Sequence, residues 1–204
     1  MEMRGLRTMA IAALLGTLIV GPRDAPATIE EQRARLPPPA ECSSPMAGRW
    51  RSLAFSYSED EWYEFTLEIH EDGPDGSVLT GTIYVDDWVG PQVTPEPPVP
   101  CVRRNKGKMI GRGTFTNGVV RFGGSDYERT EVVCGKPMVG YNPDQFTGKL
   151  DPARQEFQAL NNDGGLMVNE PTVFRRIGCF DDARKDPGSD VKPPPFFPKH
   201  TSGC

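Results

Sequence analysis

The stretch WYEFTLEIH, residues 62–70, constrains the fold more than any other part of the chain. Tyr63, Phe65, Leu67 and Ile69 fall on one face, and Glu64, Thr66, Glu68 and His70 on the other. This period of two fits a half-buried strand, because successive side chains of an extended backbone point to opposite sides. EDGPDG follows as a turn and SVLTGTIYV as the return strand. KMIGRGTF and VVRF flank Thr116-Asn117-Gly118, a second hairpin signal. FTGKL and EFQALN flank Asp151-Pro152-Ala153-Arg154. No segment of this region keeps a helical period over three turns.

Gly81, Gly113 and Gly148 recur inside these strands, in LTGT, GRGT and FTGK. A strand glycine marks a bend or bulge, and bends repeated along consecutive hairpins let a sheet close on itself. The predicted fold is all-β: an antiparallel up-and-down barrel of about eight strands over residues 47–179, since closure removes exposed edges. A two-sheet sandwich is the alternative. Residues 28–46 are polar and proline-rich and read as a linker. Residues 180–204, with their PPPFFP run, read as a disordered proline-rich tail. The segment from Asp86 to Gly107 is too proline-rich for a strand and is expected to loop over one end of the barrel.

ALNNDGGLMVNE, residues 159–170, admits two readings. As a calcium loop it places Asn161, Asp163, Gly164 and Glu170 at ligand or turn positions, but Ala159 occupies the first position, which needs a carboxylate. The flanks alternate instead of forming helices, and Pro171 blocks an exiting helix. Asp163-Gly164 between alternating runs is a hairpin signal, so a corner of the sheet is expected and no metal.

The first residues follow an export pattern: a basic lead, the apolar run MAIAALLGTLIV and small residues at Ala25-Pro26-Ala27. Residues 1–27 are therefore read as a signal peptide, and no membrane insertion is expected after cleavage. This segment carries three arginines against two acids, so its removal takes the net charge from −5 to −6. An acidic chain lacks the Lys and Arg excess that phosphate binding requires, so no nucleic-acid partner is expected.

The chain has five cysteines and only two histidines, His70 and His200, with no C-x-x-C pair, so neither zinc ligation nor a His-activated nucleophile is indicated. Export makes disulfides the better reading. In a closed barrel the first and last strands are neighbours, which brings together Cys42, before the first strand, and Cys179, after the last. Cys101 and Cys134 both lie where strand gives way to loop and form the second expected pair. Cys204 is then left over, to join a second chain or to compete for Cys179.

Among the strand aromatics, Trp50, Tyr63, Phe65, Phe115 and Phe122 are candidate ligand contacts lining the barrel interior, with Trp88 at its rim. Core packing is the competing reading for each. No catalytic residue or cofactor is indicated. Adjacent carboxylates at Glu59, Asp60 and Glu61, and at Asp86 and Asp87, read as solvated loop residues.

Three short motifs carry a family resemblance. Gly48-Arg49-Trp50 resembles the G-x-W that opens the first strand of calycin barrels, the lipocalin and avidin group. Ser125-Asp126-Tyr127 is similar to the lipocalin T-D-Y loop motif. Phe174-Arg175-Arg176 resembles the last-strand arginine that packs across the tryptophan in that group. Strands continue past Ser125 and end in a proline-rich tail, where lipocalins have a helix after the barrel. The resemblance implies a guanidinium of Arg175 or Arg176 across Trp50, and a secreted, non-enzymatic binder of a small apolar molecule. The alternative is an extracellular structural or protein-interaction module, an inhibitor or envelope component, acting on a protein partner through residues 86–107 and the tail.

Overall fold

A computed structural model of the chain describes residues 28–56, 60–73, 75–93, 95, 103–134, 140–165 and 167–180. A short helix, α1 (Ile29–Arg35), precedes β1 (Gly48–Ser56), β2 (Glu61–Asp72), β3 (Val78–Val89), β4 (Arg104–Thr116), β5 (Val119–Val133), β6 (Gln145–Asp151), β7 (Glu156–Asn162) and β8 (Val168–Gly178). Each strand pairs antiparallel with the next, and β8 returns to β1, so the sheet is the closed up-and-down barrel that the alternation predicts. The expected signal peptide and tail, residues 1–27 and 181–204, lie outside the described residues, as does Cys101.

The strand glycines mark close approaches between backbones. A Cβ on Gly81 would lie 1.7 Å from the Glu68 carbonyl oxygen, and one on Gly113 1.9 Å from that of Arg121. Gly148 meets Gln158 in the same way at 2.1 Å. Only glycine permits such contact, so these positions let neighbouring strands curl inward. The β4–β5 hairpin turns at Asn117 and Gly118, which have φ of 53° and 75°, the left-handed pair that a tight hairpin requires.

The interior is aromatic. Trp50, Phe157, Phe174, Phe146 and Phe65 form an unbroken chain of ring contacts with centroids 4.7–5.2 Å apart. One end of the barrel, where β1 begins and β8 ends, is plugged. Met46 is fully buried there, and the Trp50 indole N–H donates to its carbonyl at 2.8 Å. The Arg176 guanidinium lies 4.4 Å from the Trp50 ring centroid and donates to the carbonyls of Ser44 and Pro45. The late arginine across the first tryptophan is thus Arg176. Cys42 and Cys179 form a disulfide with Cα atoms 5.5 Å apart, which ties the entering chain to the end of β8.

The outer face carries two rows of complementary charge. Arg51 on β1 meets Glu64 on β2 at 2.6 Å, Arg104 on β4 meets Asp86 on β3, and Lys106 reaches Glu131 on β5 at 2.6 Å. Nearer the plug, Arg49 pairs with Glu68 at 2.9 Å and Lys108 with Glu128 at 3.0 Å. Opposite charges on adjacent strands each contribute roughly 0.2–1 kcal/mol and penalise a shifted register.

Several expectations need correction. Residues 28–46 are not merely a linker. Thr28 and Glu31 form a capping box, with Glu31 N–H donating to Thr28 Oγ1 at 3.2 Å and Thr28 N–H to the Glu31 carboxylate at 2.9 Å. This closes α1 at its start, and the helix then docks on β8. The expected 86–107 loop is shorter, because β3 runs through Val89 and β4 starts at Arg104. The charged residues that looked like loop are cross-strand partners, Asp86 with Arg104 and Asp87 with Asn105. Ser125-Asp126-Tyr127 lies within β5 and is not a loop.

Candidate functional site

The end of the barrel opposite the plug gathers a set of buried polar side chains. Asp87 sits near the end of β3, Asn105 at the start of β4 and Tyr127 on β5. Tyr141 and Asp144 precede β6, and Asn161 is near the end of β7. Asp87, Asn105, Asp144 and Asn161 are all at most 2% exposed. Glu61, at the start of β2, is also buried; it accepts from the Tyr63 hydroxyl at 3.2 Å and pairs with Arg103.

Irregular pairing creates this arrangement. The β4–β5 ladder is bulged between Lys106 and Gly107 and again between Lys108 and Ile110. A bulge bends the strand and re-aims its side chains, here Tyr127, whose ring lies over Gly107: a Cβ on that glycine would sit 2.2 Å from the ring. The β5–β6 ladder spans only Val119–Gly123 against Gln145–Lys149. Beyond it the chain before β6 takes over, with Gly124 N–H donating to the Asp144 carbonyl at 2.9 Å. Tyr141 then stacks on Tyr127, with centroids 4.1 Å apart and planes inclined by 12°.

Asp144 receives two neutral donors, the Tyr141 hydroxyl and the Asn161 amide nitrogen, the latter at 2.6 Å. Burial outweighs both bonds, and the charge of Asp163 adds to it, so the carboxyl is raised to about 6. Burial also pushes the Tyr141 phenol well above its ordinary value, with Asp144 reinforcing the shift. Tyr127 is raised by burial first and then by the charge of Asp87. The amide nitrogen of Asn105 donates to Asp87 at 2.9 Å. The side-chain oxygens of Asn105 and Asn161 have no hydrogen-bond partner among the described residues, although both are buried.

The candidate ligand contacts divide by position. Trp50, Phe65 and Phe122 are buried within the interior cluster, and Phe115 packs half-buried against it. Tyr63 belongs to the same cluster and points its hydroxyl at Glu61 near the polar end. Trp88 is not a rim residue. It is 2% exposed on the outside of the barrel, in register with Trp62, its ring 6.3 Å away. Leu53, Phe55, Trp62, Trp88 and Val173 form an outer apolar cluster covered by Leu36 and Ile29 of the N-terminal segment. The expected Cys101–Cys134 pair involves a residue outside the described set.

The hairpin reading of 159–170 holds. β7 and β8 pair across it, and one carboxylate oxygen of Asp163 accepts the backbone N–H groups of Gly165 at 2.7 Å and Met167 at 3.0 Å. Asp163 therefore organises the turn.

Sequence reasoning missed Asp144 and Tyr141, and weighed Asn161 only as a position in a calcium loop. The first two lie in an unpatterned stretch before β6, and Asn161 occupies an inward position that alternation could have marked as polar. No family model matches the chain, no curated protein matches it, and no solved structure matches it.

Proposed function

We propose that this chain is an exported, non-enzymatic binding barrel that takes a small molecule with an apolar body at the end opposite the plug. The observation that carries the reading is the stacked Tyr127–Tyr141 pair beside the buried side-chain oxygens of Asn105 and Asn161, which have no hydrogen-bond partner among the described residues. Ligand sites combine apolar walls with a few placed polar groups, which is the combination here. The resemblance to calycin barrels points the same way, although fold alone does not fix function. Export is supported by the basic and apolar leader and by the Cys42–Cys179 disulfide, a bond that persists in oxidising compartments. Native mass spectrometry of protein expressed with its leader in an export-competent host tests both parts. The expected species begins near Thr28, keeps its disulfide, and carries a small-molecule adduct or takes up the neutral dye N-phenyl-1-naphthylamine. An intact Met1 would overturn export; absence of both adduct and dye uptake would overturn binding.

A further inference from the structure

Around Asp144 and Asp87 the described residues leave two buried amide oxygens unmet. Asp144 is buried, both of its side-chain donors are neutral, and the negative charge of Asp163 acts on it. Asn161, fully buried, gives its amide nitrogen to Asp144 and leaves its oxygen without a partner among the described residues. Asn105 repeats the pattern beside Asp87. Arg129, an exposed residue of β5, engages Tyr127. A buried acceptor without a donor is costly, and a buried carboxylate without a cation more so.

These observations constrain the ligand's chemistry. An anion would face Asp144, whose two side-chain donors are neutral. A neutral apolar molecule would leave the two amide oxygens unpaired. A metal ion is disfavoured, because no three His, Cys, Asp or Glu side chains among the described residues are placed to hold one. An ammonium group carries only donors and a positive charge, and the faces of Tyr127 and Tyr141 attract cations and flat apolar bodies alike.

We infer that the polar end of the barrel binds a small organic ammonium, its N–H donors directed to Asp144 and the Asn161 side-chain oxygen and its apolar body placed against the Tyr127–Tyr141 pair. This rests on the binding-barrel reading and specifies the ligand for it.

The test is calorimetric titration of the exported, disulfide-intact protein with phenethylammonium, its neutral analogue 2-phenylethanol and its anionic analogue phenylacetate. Phenethylammonium is expected to bind at least about ten-fold more tightly than the alcohol, with phenylacetate weakest. Asp144→Asn removes the charge while keeping the shape, and should weaken phenethylammonium by about ten-fold or more with the alcohol unchanged. Equal affinity for ammonium and alcohol, or an unchanged ammonium affinity in D144N, overturns the inference. So does a lack of phenethylammonium binding up to about 10 mM; the two buried oxygens are then satisfied by water. If N-phenyl-1-naphthylamine still binds in that case, the binding barrel survives and only the ammonium assignment falls. If neither probe binds, both fall.

Discussion

At the scale of single residues, the plug and the polar end handle charge in different ways. Arg176 is buried, but carbonyl oxygens of Ser44 and Pro45 and the face of Trp50 surround its guanidinium, so its charge is solvated by the protein. The side-chain donors to Asp144 are both neutral, and its carboxyl is raised from 3.8 to about 6. The native state then holds a proton that the unfolded chain releases near pH 4. Its stabilising effect is complete below that pH and is lost as pH rises through about 6. A difference of that size corresponds to about 3 kcal/mol at pH 8. Asp144→Asn should therefore be more stable than the parent at pH 8 by up to about 3 kcal/mol, with the gap closing toward pH 4. The Asn161 amide can turn to meet the new side chain. The phenols of Tyr127 and Tyr141, both raised by burial, remain protonated throughout. Urea unfolding across that pH range measures the gap; a constant offset would show that Asp144 is not the titrating group.

Among the elements, the strands were legible and the helix was not. β2 writes its alternation openly, and the inward positions Tyr63, Phe65, Leu67 and Ile69 all enter the core. Trp62 and Trp88 break the alternation from the outer face, and the apolar cover they need comes from Ile29 of α1, a helix of seven residues with no helical period long enough to detect, and from Leu36 at its end. The capping box at Thr28 and Glu31 was the available signal. The polar site was hidden for a related reason: β4–β5 bulges and the short β5–β6 ladder set it, and neither leaves a periodic trace. α1 also completes the barrel's closing seam. β1 and β8 pair only at Arg49, Trp50 and Arg51, and further along β8 the side chain of Gln32 takes the place of a strand. Its oxygen accepts from Val173 N–H at 2.8 Å and its nitrogen donates to the Pro171 carbonyl at 2.7 Å. Gln32→Ala should cost about 1–3 kcal/mol, the penalty of stranding buried backbone groups. It should also abolish slow hydrogen exchange at the Val173 amide. If protection at Val173 persists, the seam closes without the helix.

For the molecule as a whole, the two ends of the barrel are held by different means, and this asymmetry predicts how it unfolds. The plugged end joins three kinds of restraint within a few residues: Met46 in the core, Arg176 against Trp50, and the Cys42–Cys179 bond. The opposite end depends on buried polar contacts and on irregular ladders. The disulfide spans 137 residues, so it closes almost the entire barrel into one loop. In the chain-entropy account such a loop stabilises the fold by on the order of 5 kcal/mol, by restricting the unfolded chain. The Cys42→Ser/Cys179→Ser protein should then lose about that much stability and still form the same barrel, since the aromatic chain from Trp50 to Phe65 does not involve the bond. Because the effect lies in the unfolded chain, the urea dependence should steepen as that chain expands and exposes more surface. Equilibrium unfolding followed by tryptophan fluorescence and circular dichroism measures both quantities. Coincident transitions with a lower midpoint and a larger slope are expected. A loss confined to fluorescence, with the sheet signal unchanged, would instead show that the bond anchors only residues 42–46 at the plug.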